Sequence, residues 1–223
     1  MLFAAGFGTR MGALTADRPK PLISVAGKPL IDHALQIAAE VGPAKIVINL
    51  HYLGDQIQLH LAGHNVEFSW ERPQILDTGG GLKAALPLLG PGPVMLLNTD
   101  AVWTGENPLR QLLDAWDPER MDALLLLLPA ESATGHAGSG DFLVSASGQI
   151  SRANGAHAPV YLGAQILKPE ALSAFTEPVF GLNHVWDSLI AKGRAFGLIH
   201  KGGWCDVGRP EGIALAEGLL SDV

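Results

Sequence analysis

One cysteine, Cys205, is all that 223 residues contain, so no intrachain disulfide can form and nothing in the chain calls for an oxidising compartment. A basic excess is missing too. Lys and Arg number 15 against 22 Asp and Glu, a formal charge of −7 with a pI near 5.5. That balance argues against a duplex nucleic-acid binder, which carries a basic face to meet phosphates. No uninterrupted apolar stretch approaches the ~20 residues of a membrane span, and no basic segment precedes the short apolar run at the start. These absences together read as a cytoplasmic protein that meets neither nucleic acid nor membrane. Internal repeats, charge runs and low-complexity segments are also lacking. What is plentiful is apolar: 48% hydrophobic residues fill one sizeable core, so a single domain over 1–223 is expected.

Glycine marks the first stretch of interest. Leu2 to Ala5 look like the end of a buried strand, and Gly6, Gly8 and Gly12 follow where a loop must bring backbone N–H groups close to something bulky. Arg10 and Lys20, the first strong cations, can neutralise an anion held there from two sides. Two common phosphate loops do not fit. The stretch lacks the Gly-Lys-Ser/Thr that closes a P-loop, and Met11 stands where a dinucleotide fingerprint needs a small third residue.

Further along, Leu30, Ala34, Ile37, Ala38 and Val41 fall at helical spacing and Gly42-Pro43 stops the run. Strands are expected over 45–50 and 66–71, with a short helix over 54–61 between them. A second glycine cluster, Asp77-Thr78-Gly79-Gly80-Gly81, opens a helix, the end where free N–H groups favour acceptor atoms. A nucleobase edge fits there, and so does plain packing of small residues. Pro93 to Asn98 reads as a central parallel strand whose carboxyl end presents Asp100 to a ligand crevice. Asn107-Pro108 caps a helix with Leu109, Leu112, Leu113 and Trp116 as its stripe. Asp122 to Leu128 is a buried strand, 129–140 a mobile loop, 141–152 a hairpin, and Val160 to Leu167 a further strand of the same wall. Helical pattern returns at Pro169 to Phe175 and Leu182 to Ala191, with Asn183 a possible cap. A strand over 195–200 and a closing helix over 209–220 complete the chain. The sum is a three-layer α/β fold with a mostly parallel central sheet and a small antiparallel extension near 129–167.

Ala5-Gly6-Phe7-Gly8-Thr9-Arg10-Met11 followed by Pro19-Lys20-Pro21-Leu22 resembles the signature of the sugar-nucleotide pyrophosphorylases. These nucleotidyltransferases, of Rossmann-like fold, join a nucleoside triphosphate to a sugar 1-phosphate. The resemblance implies that Arg10 and Lys20 carry the catalysis and that Ala4, Ala5, Gly6, Gly8 and Thr9 bind nucleotide. It adds Asp77, Thr78, Gly79 and Gly80 to the nucleotide set, Asp77 standing where the family commonly has Glu. Trp204-Cys205-Asp206-Val207-Gly208 is similar to the family's late motif, so Asp100 and Asp206 are the implied Mg²⁺ ligands, with Thr99 where Gly is usual. Gly140, Asp141, Asn154 and Gly163 are the implied sugar-phosphate contacts. The Glu-Lys-Pro of many relatives is missing, Arg152-Ala153-Asn154-Gly155 standing there, so no lysine is assigned to it. Within the family, Thr78-Gly79-Gly80-Gly81 and Gly138 to Phe142 look most like the N-acetylmuramic acid 1-phosphate uridylyltransferases of peptidoglycan recycling. Mannose-1-phosphate guanylyltransferases are the second reading. A monomer is expected.

Other constellations carry less. His60 and His64 have HxxxH spacing, but no Glu follows His60 and Gly63 intervenes, which reads as surface. Cys205 has no base at fixed spacing and reads as a buried thiol. Trp70 and Trp116 belong to apolar faces, whereas Trp103, just past Asp100, is placed to touch a ligand. A non-catalytic nucleotide-binding protein on the same fold is the reading from another class; Arg10, Lys20, Asp100 and Asp206 speak against it, while Thr99 and Asp77 keep it in play.

Overall fold

Apolar runs such as 94–97 and 123–128 have no polar face to give to water, so they belong where both sides of a sheet are covered. The computed structural model, which describes residues 1–221, arranges the chain accordingly. Its first half contains β1 (Leu2–Phe3), β2 (Ser24–Val25), β3 (Lys28–Pro29), α1 (Leu30–Glu40), β4 (Val47–Leu50), α2 (Gly54–His60), β5 (Glu67–Trp70), α3 (Asp77–Leu89), β6 (Val94–Asn98) and β7 (Ala101–Trp103). The second half adds α4 (Pro108–Ala115), β8 (Ala123–Leu128), β9 (Ala133–Thr134), β10 (Phe142–Val144), β11 (Ile150–Arg152), β12 (Val160–Leu167), α5 (Leu182–Ala191), β13 (Ala195–Ile199), β14 (Trp204–Asp206) and α6 (Glu211–Ser221).

Seven strands form the central sheet in the order β13-β8-β12-β6-β1-β4-β5. Six run parallel and β12 runs against them, paired to β6 on one side and β8 on the other. Alternate residues of each strand go to opposite faces. Leu2, Ile48, Leu97 and Leu126 meet Ile31, Ala34, Leu35, Ile57, Leu109 and Leu112 of α1, α2 and α4. Val47, Leu96, Leu125 and Leu127 meet Leu82, Ala85, Val185 and Leu189 of α3 and α5. Each leucine so buried contributes about 1.5–3 kcal/mol relative to exposure. A second sheet, β7-β14-β9, stands beside the first and is backed by α6 through Val102, Cys205, Val207 and Ala216.

Three expectations change. Val160–Leu167 is not part of an outlying antiparallel wall: it is buried on both faces, with the polar side chain of Gln165 bonded to Tyr161 and Trp186, and it lies inside the central sheet as β12. Within 129–167 the outlying antiparallel pair is β10 with β11. The segment 129–140 is not loop throughout, because Ala133 and Thr134 pair with Trp204 and Cys205. Asn183 does not cap α5; it lies inside the helix, and the Leu182 N–H that starts the helix donates to Thr78 Oγ1 at 3.0 Å. Asn107 behaves as expected, its Oδ1 accepting from Leu109 N at 2.9 Å and Arg110 N at 3.1 Å.

Candidate active site

Four parallel strands, β1, β4, β5 and β6, end on the same side of the sheet, and their carboxyl ends open into a cleft of about 320 Å³. The sequence explains why chain can cross there. Gly8 has φ 64°, and a Cβ on it would stand 2.9 Å from Lys20 Cβ, so a side chain at this turn would meet both strain and a neighbour. Gly6 differs: a Cβ there would meet nothing within 4 Å, so no protein neighbour demands glycine at that position. Among the described residues, the N–H groups of Gly6, Phe7 and Gly8 donate to no protein acceptor. Such consecutive free N–H groups form a concavity suited to anionic oxygens.

Ala4, Ala5, Gly6, Gly8, Thr9, Arg10, Lys20, Asp77, Thr78 and Asp100 all line this cleft, though they come from three distant parts of the chain. Lys20 is buried, and its Nζ donates to Asp100 Oδ2 at 2.8 Å. Arg10 is exposed at the cleft mouth. Antiparallel pairing of β14 with β7 sets Asp206 opposite Ala101, and Val207 N donates to Asp100 O at 2.8 Å, so the two carboxylates are neighbours. A Cβ on Gly208 would stand 2.6 Å from an Asp206 carboxylate oxygen and 3.1 Å from the Arg10 guanidinium carbon, so this glycine keeps the pair close. Burial pushes the Asp206 carboxyl above its ordinary pKa and the Asp100 charge pushes it further, against the pull of Lys20, Arg10 and His136.

The Asp206 carboxylate accepts no hydrogen bond from the described residues, and no group of three or more metal-ligating side chains forms among them. Two carboxylates without a third protein ligand do not make a cage for calcium or zinc. They do suit Mg²⁺, which takes one or two carboxylates and keeps water or phosphate in its other positions. Thr99 leaves this arrangement undisturbed, because its hydroxyl is engaged by Phe3 O at 2.7 Å.

The second glycine cluster works differently from the expectation. Gly79 and Gly80 do not line the cleft, and their N–H groups both donate to Phe180 O, at 2.9 and 3.0 Å. Side chains there would run into the Phe180 ring and the Pro178 carbonyl, so the two glycines serve packing. Asp77 and Thr78 remain at the cleft, with Asp77 Oδ1 accepting from Thr78 N at 2.6 Å.

The implied sugar-phosphate residues also lie outside the cleft lining. Gly140 passes tightly against the Ala158 backbone, Gly163 packs on the Asn98 side chain, and Asn154 is exposed with φ 49°. Asp141 spends one carboxylate oxygen on Tyr161 N at 2.8 Å. Tyr161 links this side to the cleft: burial pushes its phenol well above the ordinary value, and both Asp100 and Asp141 are near enough to push it further, against its hydrogen bond with Gln165.

Sequence reasoning missed Asn49 and Glu71, both buried and both lining the cleft. Position was the available signal, since each stands at the carboxyl end of a strand already expected. Trp103, expected near a ligand, instead packs edge-on against His200 and Trp204 away from the cleft. Cys205 is fully buried, and burial raises its thiol to about 11. His60 is not merely solvated but pairs with Asp32 at 2.8 Å.

Residues 1–179 match the MobA-like NTP transferase domain. The chain belongs to that family. An N-acetylmuramate alpha-1-phosphate uridylyltransferase of Caulobacter vibrioides is 42% identical across 100% of this chain and 96% of its own. One of Neisseria meningitidis is 35% identical over 93% of this chain and 92% of its own. Among solved structures, HddC of Yersinia pseudotuberculosis, complexed with GMP-PN, superposes with a TM-score of 0.76 at 20% identity, covering 97% of this chain and 96% of its own. A UDP-glucose pyrophosphorylase complexed with UDP-glucose gives 0.72, also at 20% identity, over 99% of this chain and 97% of its own. These two likenesses are of fold. As a member of that family, the chain is a nucleotidyltransferase. No helix among the described residues is long and apolar enough to cross a membrane.

Proposed function

We propose that the protein makes a UDP-sugar and pyrophosphate from UTP and a sugar 1-phosphate, with N-acetylmuramic acid 1-phosphate as the acceptor, in the cytoplasm and as a monomer. One observation carries the chemistry: a loop with free N–H groups, Arg10, Lys20 and Asp100 meet at one cleft, and Asp206 stands next to its lining beside Asp100 and Arg10. The two full-length relatives named above support the choice of substrates.

In this reading the triphosphate lies along Gly6 to Arg10, its oxygens taken by the backbone N–H groups and by Arg10. The base rests between Ala4 and Asp77–Thr78. Lys20 leaves Asp100 for the phosphates when substrate arrives. A phosphate oxygen of the sugar 1-phosphate attacks the α-phosphorus; the new P–O bond forms as the bond to the β-phosphate oxygen breaks in line, and pyrophosphate leaves with that electron pair. No protein nucleophile is needed, so the chain contributes position and charge. Asp100 and Asp206 would hold Mg²⁺, which supplies positive charge to the phosphates.

The test is pyrophosphate release from a panel of nucleoside triphosphates and sugar 1-phosphates with Mg²⁺. Turnover is expected with UTP and N-acetylmuramic acid 1-phosphate. Preference for GTP with mannose 1-phosphate would replace the reading by a guanylyltransferase, and triphosphate binding without turnover on any pair would make the protein a non-catalytic nucleotide binder.

A further inference from the structure

Two backbone donors with fixed polarity face each other across the cleft floor: Ala4 N–H just after β1 and Leu76 N–H just before α3. Asn49 and Glu71 fill the gap between them. Ala4 N donates to Asn49 Oδ1 at 2.8 Å, Asn49 Nδ2 donates to Glu71 Oε1 at 2.7 Å, and Leu76 N donates to Glu71 Oε2 at 2.7 Å. Asn49 is 3% exposed and Glu71 1%. The Glu71 backbone is itself pinned, its N–H donating to Leu50 O at 2.9 Å and its carbonyl meeting His51 Nδ1 at 2.8 Å. Gly81 leaves the necessary room: a Cβ on it would collide with Glu71 Oε1 and stand 3.1 Å from Asn49 Nδ2.

We propose that Asn49 and Glu71 are positioning residues that fix the spacing between Ala4–Gly6 and Asp77–Thr78, and so set nucleotide affinity; this rests on the nucleotide reading of the cleft given above. Donor and acceptor parity decides which pairs of side chains can close the gap. Because both ends of the chain of bonds are N–H donors, the outer atom of each side chain must be an acceptor, and the inner two must be one donor and one acceptor. Asn with Glu satisfies this. Asp with Gln satisfies it equally, with the inner donor moved to residue 71. Asn with Gln leaves two donors facing or an outer donor unmet, and Asp with Glu sets two carboxylate oxygens against each other in a buried place.

The experiment compares wild type, Asn49→Asp, Glu71→Gln and the double variant Asn49→Asp/Glu71→Gln by UTP calorimetry, thermal unfolding and steady-state kinetics. Each single variant is expected to weaken UTP binding about tenfold or more, as fits an unmet buried polar group. The double variant should return to within about threefold of wild type, since neighbouring partners are non-additive. In Glu71→Gln the rise belongs to KM for UTP, with KM for the sugar 1-phosphate held within about twofold, a split that general loosening of the fold would not give. If Asn49→Asp does not fold, Glu71→Gln and the double variant carry the comparison. Wild-type UTP affinity in Glu71→Gln would overturn the proposal, as would a double variant that is no better than the weaker single or that fails to fold where Glu71→Gln folds. Should wild type bind another triphosphate in place of UTP, that nucleotide is the probe; binding none would overturn the bridge and the nucleotide reading together. UTP binding without turnover of any sugar 1-phosphate strikes only at the proposed function.

Discussion

Lys20 and Asp206 show how a single side chain's surroundings forecast the effect of removing it. Lys20 is buried and paired with Asp100, so Lys20→Ala removes a phosphate contact and also leaves a carboxylate without its partner. Arg10 is exposed and makes no hydrogen bond or ion pair among the described residues, so Arg10→Ala removes the contact alone. Both variants should lose about 10²-fold or more in turnover, the usual cost of one preorganised charge donor. Only Lys20→Ala should also lower the thermal midpoint, and near-normal pyrophosphate release in both would refute the anion-loop assignment. Asp206 stands the other way round. Burial and the neighbouring Asp100 charge both disfavour its ionised form, so Asp206→Asn should lose about 10²-fold or more in Mg²⁺-dependent turnover while unfolding at or above the wild-type temperature. Calorimetric scans without Mg²⁺ would show it, and a midpoint several degrees lower would mean that Asp206 supports the fold.

At the level of elements, α3 shows what the sequence could and could not reveal. Its existence and its start at Asp77 follow from the pattern, yet the purpose of its glycines does not, because the same Thr-Gly-Gly-Gly serves a ligand or a neighbour. The deciding partner, Phe180, lies about a hundred residues on, and its carbonyl receives the Gly79 and Gly80 N–H groups. Gly79→Ala should therefore destabilise the protein by about 1–3 kcal/mol through overpacking against the Phe180 ring, measurable by urea unfolding. An unchanged midpoint would reopen the ligand role. β12 was legible as a strand but not in its place, since a mainly apolar run fits a central sheet in either direction, and local pattern is silent on direction. Arg10, Lys20, Asp100 and Asp206 could be singled out because they stand in or beside motifs whose spacing is visible along the chain, although their roles there remain a proposal. Asn49 and Glu71 were not, because their meaning lies in bonds to backbone groups that no spacing discloses.

Across the whole molecule, the edge of the sheet farthest from the glycine loop is held by charge. Asp122, ahead of β8, accepts from Arg194 ahead of β13 at 2.9 Å and pairs with Lys168 after β12 at 3.1 Å, tying three adjacent strands at one end. The Arg194 hydrogen bond, with help from Lys168, lowers the Asp122 pKa from its ordinary 3.8 against a smaller desolvation effect. A carboxylate with a depressed folded pKa binds protons more weakly folded than unfolded. Its contribution is thus complete above the ordinary value and disappears as pH falls through the lowered one. Asp122→Asn should cost about 1 kcal/mol or less at pH 7, the pair being partly solvated. Unfolding curves of the two proteins should converge in acid below about pH 4; a gap that persists there would assign the effect to packing.

The chain of bonds from Ala4 to Leu76 has a consequence for descent as well as for structure. Asn/Glu and Asp/Gln are two legal spellings of the same bridge, and each single step between them passes through a mismatched pair. A lineage that keeps the bridge is therefore held at two positions jointly, and drift at 49 is blocked unless 71 changes with it. Libraries randomised at both positions and selected for activity should return these two combinations and few of the mixed ones.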